Sequence, residues 1–194
     1  MRTFYEFTSE RVTNQPCVFT FGTFDGVHLG HQKLFHEVTS YARTHTLLSA
    51  VFTFTNHPLS LLSPEKAPFL LTTAEEKHAL IEAAGFDISI ELPFTHALAC
   101  LSADEFIQKL STMLPIALFI VGEDVVYAKG REGNRAHLEK KGLEIGFRVQ
   151  FLPKFLFDGQ PISSSRIRQL ITERKFHEAS QLLGRPSSSL SIDI

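Results

Sequence analysis

Residues 17–32, CVFTFGTFDGVHLGHQ, decide how the rest of this chain is read. Val18, Phe19, Thr20 and Phe21 are β-favouring residues that predict a short buried strand. Gly22, Thr23, Asp25 and Gly26 then make a turn, and Leu29, Leu34, Phe35, Val38 and Tyr41 fall on a helical period over about 29–44. A strand passing through a glycine-containing turn into a helix aims free N–H groups and the positive end of the helix dipole at one point, which suits a phosphate. The dinucleotide pattern G-x-G-x-x-G is absent, and so is a Lys after the last Gly. The positions nearest that point are His28 and His31, three apart and on one face of the helix start. An imidazole, with a free pKa of about 6.5, is able to stabilise charge growing on phosphoryl oxygens. The alternatives are ordinary helix-start histidines or a metal site, which would need a third ligand; H-E-x-x-H is absent.

Composition narrows the classes of function. The 194 residues are enough for one α/β domain, and 43% hydrophobic content is enough for a sizeable core. A formal charge of −2 offers no global attraction to nucleic acid. Cys17 and Cys100 are far apart and form neither a disulfide framework nor a zinc ribbon, so a reducing cytoplasm is expected. The N-terminus MRTFYEFTSERV lacks the apolar centre of a signal peptide, and no run is long enough to span a membrane.

Along the chain, residues 1–16 read as an edge strand or lead-in arm. The run 47–54 (LLSAVFTF) predicts a strand covered on both faces, ending at Asn56-His57-Pro58, where Pro58 sets a turn. Residues 59–72 read as an irregular loop. Capping boxes at Thr73–Glu76 and Ser102–Glu105 start two helices, and residues 86–92 and 117–121 read as further strands. A helix of about 134–141 and a strand over 147–151 follow. This alternation predicts a Rossmann-like, doubly wound parallel sheet of about five strands with helices on both faces. The loop 122–134 (GEDVVYAKGREGN) leaves a strand's carboxyl end, where open α/β sheets bind ligands; Lys129 and Arg131 there meet phosphates or form a solvated basic turn. Ile162-Ser163-Ser164-Ser165-Arg166-Ile167-Arg168 precedes a helical pattern, its hydroxyls and guanidinium groups suiting a triphosphate clamp. A short helix over 175–183 closes the pattern.

GTFDGVHLGH resembles the H-x-G-H signature of the nucleotidyltransferase superfamily, and its Asp25-Gly26-Val27 filling resembles the FMN adenylyltransferase (FAD synthetase) branch found in bacterial bifunctional riboflavin kinase/FAD synthetases. The 162–168 segment looks like that superfamily's I-S-S-T/S-x-I-R element, with Arg168 at its Arg and Arg166 in its variable slot. The resemblance covers roughly residues 15–186 and implies transfer of AMP from ATP to FMN, with Mg²⁺ carried mainly on the ATP phosphates and no protein metal site. It implies catalytic roles for His28, His31 and Arg168. ATP phosphates are assigned to Gly22, Phe24, Asp25, Gly26, Ser164, Ser165 and Lys129, and the flavin or nucleotide pocket to Asn56, His57 and Asp124. Val125–Ala128 depart from the family's usual aromatic and basic pattern, while Gly122, Asp124, Lys129 and Gly133 keep its frame. Gly184-Arg185-Pro186 resembles the segment joining the two domains of the bifunctional proteins, so residues 1–186 are expected as one adenylyltransferase domain and 187–194 as a flexible tail. A different phosphorylated acceptor, or nucleotide binding without catalysis, are the rival readings.

Overall fold

A computed structural model describes residues 1–186, so the tail expected at 187–194 lies outside the described residues. The elements in chain order are β1 (Arg2–Phe4), β2 (Cys17–Phe21), α1 (Leu29–Thr44), β3 (Leu48–Phe54) and α2 (Leu59–Leu62). Next come α3 (Ala74–Ala83), β4 (Ile88–Leu92), α4 (His96–Ala99), α5 (Ala103–Met113) and β5 (Ile116–Gly122). The remainder is α6 (Arg135–Ile145), β6 (Arg148–Leu152), the hairpin β7 (Leu156–Phe157) and β8 (Gln160–Pro161), α7 (Ser164–Thr172) and α8 (Phe176–Leu183).

Six strands form one all-parallel sheet in the order β1-β4-β3-β2-β5-β6. The strand beyond the five expected is β1, the edge-strand alternative for the N-terminal arm, which pairs with β4 through Arg2↔Ile88 and Phe4↔Ile90. The sheet separates two apolar layers because successive strand side chains point to opposite faces. Cys17, Phe19 and Phe21 of β2 join Phe106, Ile107, Leu110 and Met113 of α5 on one face. Val18 joins Leu34, Phe35 and Val38 of α1 and Ile81 of α3 on the other. Each large side chain buried this way contributes about 1.5–3 kcal/mol. A third, smaller cluster holds α7 and α8 together through Ile167, Ile171, Ala179 and Leu182, and Leu71 packs into it.

The chain reverses its winding direction at β2, whose neighbours are β3 and β5. The carboxyl ends of β2 and β5 therefore border the crevice where doubly wound sheets hold ligands. Directly below it, Phe21 packs edge-on against Phe106, Phe119 and Tyr127 at centroid distances of 5.7, 5.9 and 5.1 Å. That aromatic base makes the end of β2 a rigid platform.

Three departures from the sequence reading have local causes. The expected loop 59–72 contains α2 and a 3-10 turn at Pro64–Lys66, each too short to show a period. Thr95 caps the one-turn α4 by accepting from the Leu98 N–H at 3.3 Å. The hairpin β7–β8 turns on Asp158 and Gly159, both at positive φ (52° and 73°), the Asp-Gly pair that two-residue hairpins favour.

Candidate active site

The turn from β2 into α1 is bent by three left-handed residues, Phe24 (φ 49°), Gly26 (φ 83°) and Val27 (φ 36°). For a β-branched residue such as Val27 this is a sterically costly conformation, of order 1–3 kcal/mol, which persists only where neighbours enforce it. The Asp25 carboxylate is buried and accepts from the N–H groups of Leu71 (3.0 Å) and Thr72 (3.3 Å), and Arg168 donates to it as an ion pair. Gly26 donates its N–H to the Thr72 hydroxyl at 3.1 Å, and a Cβ there would sit 2.9 Å from Leu71. The buried Lys77 ammonium donates to the carbonyls of Thr23 (3.1 Å) and Phe54, tying together the ends of β2 and β3. Hydrogen bonds to charged groups contribute about 1.5–3 kcal/mol each, enough to hold the strained turn.

His28 is the N-cap of α1, and its Nδ1 accepts from the His31 N–H at 3.3 Å. That bond leaves the ring proton of a neutral imidazole on Nε2. His28 lines the cleft although it is only 5% exposed. Burial, assisted by the nearby charge of Arg185, pushes its pKa down to about 4. The His31 ring stacks on it at 3.6 Å and 15°, with Phe24 edge-on at 5.2 Å. Burial, then His28 and Lys77, hold His31 well below the usual imidazole range, and its buried Nδ1 has no protein partner. Both rings are thus neutral near pH 7. Gly30 completes the arrangement, because a Cβ there would press on the His28 ring at 3.2 Å.

The second motif lies against the first. Ser163 caps α7 by accepting from the Arg166 N–H at 3.2 Å, and the Ser164 hydroxyl donates to the Asp25 carbonyl at 2.9 Å. Arg168 reaches Asp25 and also donates from Nε to the Phe69 carbonyl at 2.8 Å. The N-termini of α1 and α7, whose first N–H groups have no intrahelical acceptor, open on the same cleft. The cleft has a volume of about 570 Å³.

His28, His31, Gly22, Phe24 and Asp25 line this cleft from the first motif, and Ser164, Ser165 and Arg168 from the second. His57 and Asp124 line it as well. His57 Nδ1 accepts from the Leu59 N–H at 3.1 Å, and burial, then the Arg168 charge, lowers its pKa. Three expected residues lie elsewhere. Gly26 is buried behind the turn, Lys129 sits in a 3-10 turn that is pinned by its N–H to the Leu101 carbonyl, and Asn56 exchanges hydrogen bonds with the Phe94 backbone at 2.6 and 3.2 Å. Arg166 is spent on the hairpin, donating to the carbonyls of Phe157 and Gln160 at 3.2 Å each.

Lys154 and Phe155 line the cleft without having been singled out, and Thr23 and Ile162, named within the two motifs but given no site role, line it as well. Lys154 pairs with Asp124 at 3.1 Å and follows the carboxyl end of β6, so its position relative to that strand was the available signal. Lys77 carried no such signal, since a lysine in a helix reads as solvated. Among the described residues no group of three His, Cys, Asp or Glu side chains is placed to hold a metal ion.

A parallel doubly wound sheet whose switch-point cleft brings together paired imidazoles and a serine-capped helix has the architecture of an α/β protein of the nucleotidyltransferase kind. Residues 10–166 match the family model described as FAD synthetase, and the chain belongs to that family. It is 36% identical over 171 residues to the bifunctional riboflavin kinase/FMN adenylyltransferase of Escherichia coli K12, covering 88% of this chain and 55% of that protein. The protein of the same description from Listeria monocytogenes is 35% identical over 190 residues, covering 96% and 60%. The chain therefore spans little more than half the length of the curated relatives it matches. A solved Streptococcus pneumoniae structure described as a macrolide-efflux protein superimposes with a TM-score of 0.82 at 27% identity, over 96% of this chain and 61% of that one. In this chain no helix among the described residues is long and apolar enough to cross a membrane.

Proposed function

We propose that residues 1–186 form an FMN adenylyltransferase, transferring AMP from ATP to FMN to give FAD and pyrophosphate. The observation that carries this reading is the convergence of two helix N-termini and two neutral imidazoles on one cleft. An FMN phosphate oxygen attacks the α-phosphorus of ATP, the bond from that phosphorus to the bridging oxygen breaks, and pyrophosphate leaves with the electron pair. The phosphate is already deprotonated, so no side-chain base is needed and catalysis reduces to alignment and charge stabilisation.

His28 is set to donate from Nε2 to a phosphoryl oxygen, with its orientation fixed through Nδ1. A triphosphate in the cleft opposes the effect of burial, raising the pKa of both rings and strengthening their interaction as negative charge accumulates. Ser164, Ser165 and the α7 N-terminus receive the leaving pyrophosphate, with Arg168 supplying positive charge from the edge. Asp25 is committed to Arg168 and the 71–72 backbone, so it acts in this reading as a structural tie and Mg²⁺ arrives as part of the MgATP substrate. The unpaired thiols Cys17 and Cys100 accord with a cytoplasmic setting.

Incubation with MgATP and either FMN or riboflavin, with products separated by chromatography, tests the assignment. FAD and pyrophosphate are expected from FMN alone. Adenylylation of another phosphorylated acceptor in place of FMN, or tight binding of both substrates with no pyrophosphate released, would overturn it.

A further inference from the structure

The back of the strained turn, facing away from the cleft, is held by the segment that ends the described chain. Arg185 donates from Nη2 to the Gly26 carbonyl at 2.7 Å, and its Nη1 lies 3.4 Å from the Val27 carbonyl. The Gln32 side-chain amide donates to the Val27 and Leu183 carbonyls at 2.8 Å each, joining α1 to the end of α8. Gly184 fits beneath the turn because it has no side chain: a Cβ there would meet Leu29 at 2.5 Å. Gly26 and Val27 are two of the left-handed residues, and the peptide after Val27 leads directly into the His28 N-cap.

Arg185 makes no carboxylate ion pair within 4.0 Å among the described residues, although it is half-buried; its donors go to backbone oxygens. A buried guanidinium aimed at carbonyl oxygens fixes the orientation of two successive peptide planes, which a single-point donor is unable to do. Those planes set where the His28 ring enters the cleft.

We propose that Arg185, with Gln32, is a positioning residue for the reaction, clamping the Gly26–Val27 peptides so that His28 presents Nε2 to the phosphates. This rests on the adenylyltransferase reading, and it assigns a role in turnover to a segment whose sequence reads only as a connector. The geometry requires the effect to fall on the chemical step: neither Arg185 nor Gln32 lines the cleft, so ground-state binding is left largely intact while alignment is lost.

The test compares wild type with Arg185→Lys, Arg185→Gln and Gln32→Glu in the full chain, at a temperature where circular dichroism reports each as folded. Turnover is measured with MgATP and FMN, and the ¹⁵N shifts of the His28 ring are recorded without substrate. The expected result is a fall in kcat of about 10- to 100-fold for Arg185→Gln, smaller for Arg185→Lys, with both KM values within about threefold. The His28 signals are expected to leave the Nε2–H tautomer pattern in the same order. Unchanged kcat in folded Arg185→Gln, or a loss that merely tracks the unfolded fraction in all three variants, overturns the proposal. Should the wild-type chain make no FAD, the proposed function fails on that ground, and unshifted His28 signals in the folded variants overturn the clamp separately.

Discussion

At the scale of single residues, His28 and His31 are stacked at 3.6 Å, and burial lowers the pKa of both rings; in the proposed reaction they meet the phosphates as neutral imidazoles. His31→Ala removes one donor from the cleft while leaving the sheet and both apolar layers intact. A loss of about 10²–10³ in kcat is expected from a discontinuous FAD assay, with little change in melting temperature. Asp25 plays the opposite part, since its removal strands the partly buried Arg168 and frees the 71–72 backbone. Asp25→Ala is expected to cost about 3–5 kcal/mol in urea denaturation, and a cost below 1 kcal/mol would show that the ion pair does not anchor the turn. His28 also makes a pH signature. Its pKa is about 4 in the folded chain, against about 6.5 unfolded, so the unfolded state binds more protons between those values. Stability is therefore expected to hold above pH 6.5 and to fall as the pH drops from 6.5 towards 4, by up to about 3 kcal/mol for this ring. In His28→Asn, which keeps an N-cap acceptor, that part of the slope should vanish. The histidines themselves were legible from their spacing, but nothing local revealed that Lys77 is buried at the ends of β2 and β3, near enough to lower the pKa of His31, because a lysine on a helix carries no mark of burial.

At the scale of elements, the helix ends do different work although their chemistry is shared. Ser102 caps α5 with a complete capping box on the layer away from the cleft, and Ser163 caps α7 on the cleft itself. Substituting either by Ala is expected to cost about 1 kcal/mol of stability. Only Ser163→Ala should also lower turnover, because it frays the helix start that presents Ser164 and Ser165. Equal activity of the two variants in parallel melting and FAD assays would argue against a phosphate role for α7. Both caps were readable as short patterns, as were the long helices and central strands. The hairpin at 156–161 was missed despite its Asp158-Gly159 turn, because strands of two residues are too short to show alternation.

For the molecule as a whole, the sheet order places two segments far apart in sequence on either side of one crevice, and ligand binding should stabilise that closure. MgATP at about 100 times its dissociation constant is expected to add about 2.7 kcal/mol, or roughly 5–10 °C in melting temperature for a domain of this size. A melting temperature that does not move with MgATP would remove the cleft as its site. The sequence by itself determined the parallel α/β class, the order of the long helices and central strands, and the places of the two motifs, because helix and strand periods and capping patterns are encoded by residues close together in the chain. Only the tertiary structure decided which side chains remain available to a ligand. Asp25 and Arg168 are 143 residues apart and satisfy each other, Arg166 and Asn56 are consumed by neighbouring backbone, and Arg185 closes on the turn from the far end. A donor's partner is settled by which acceptors the fold brings within about 3 Å of it, and that competition between distant groups leaves no trace in local spacing.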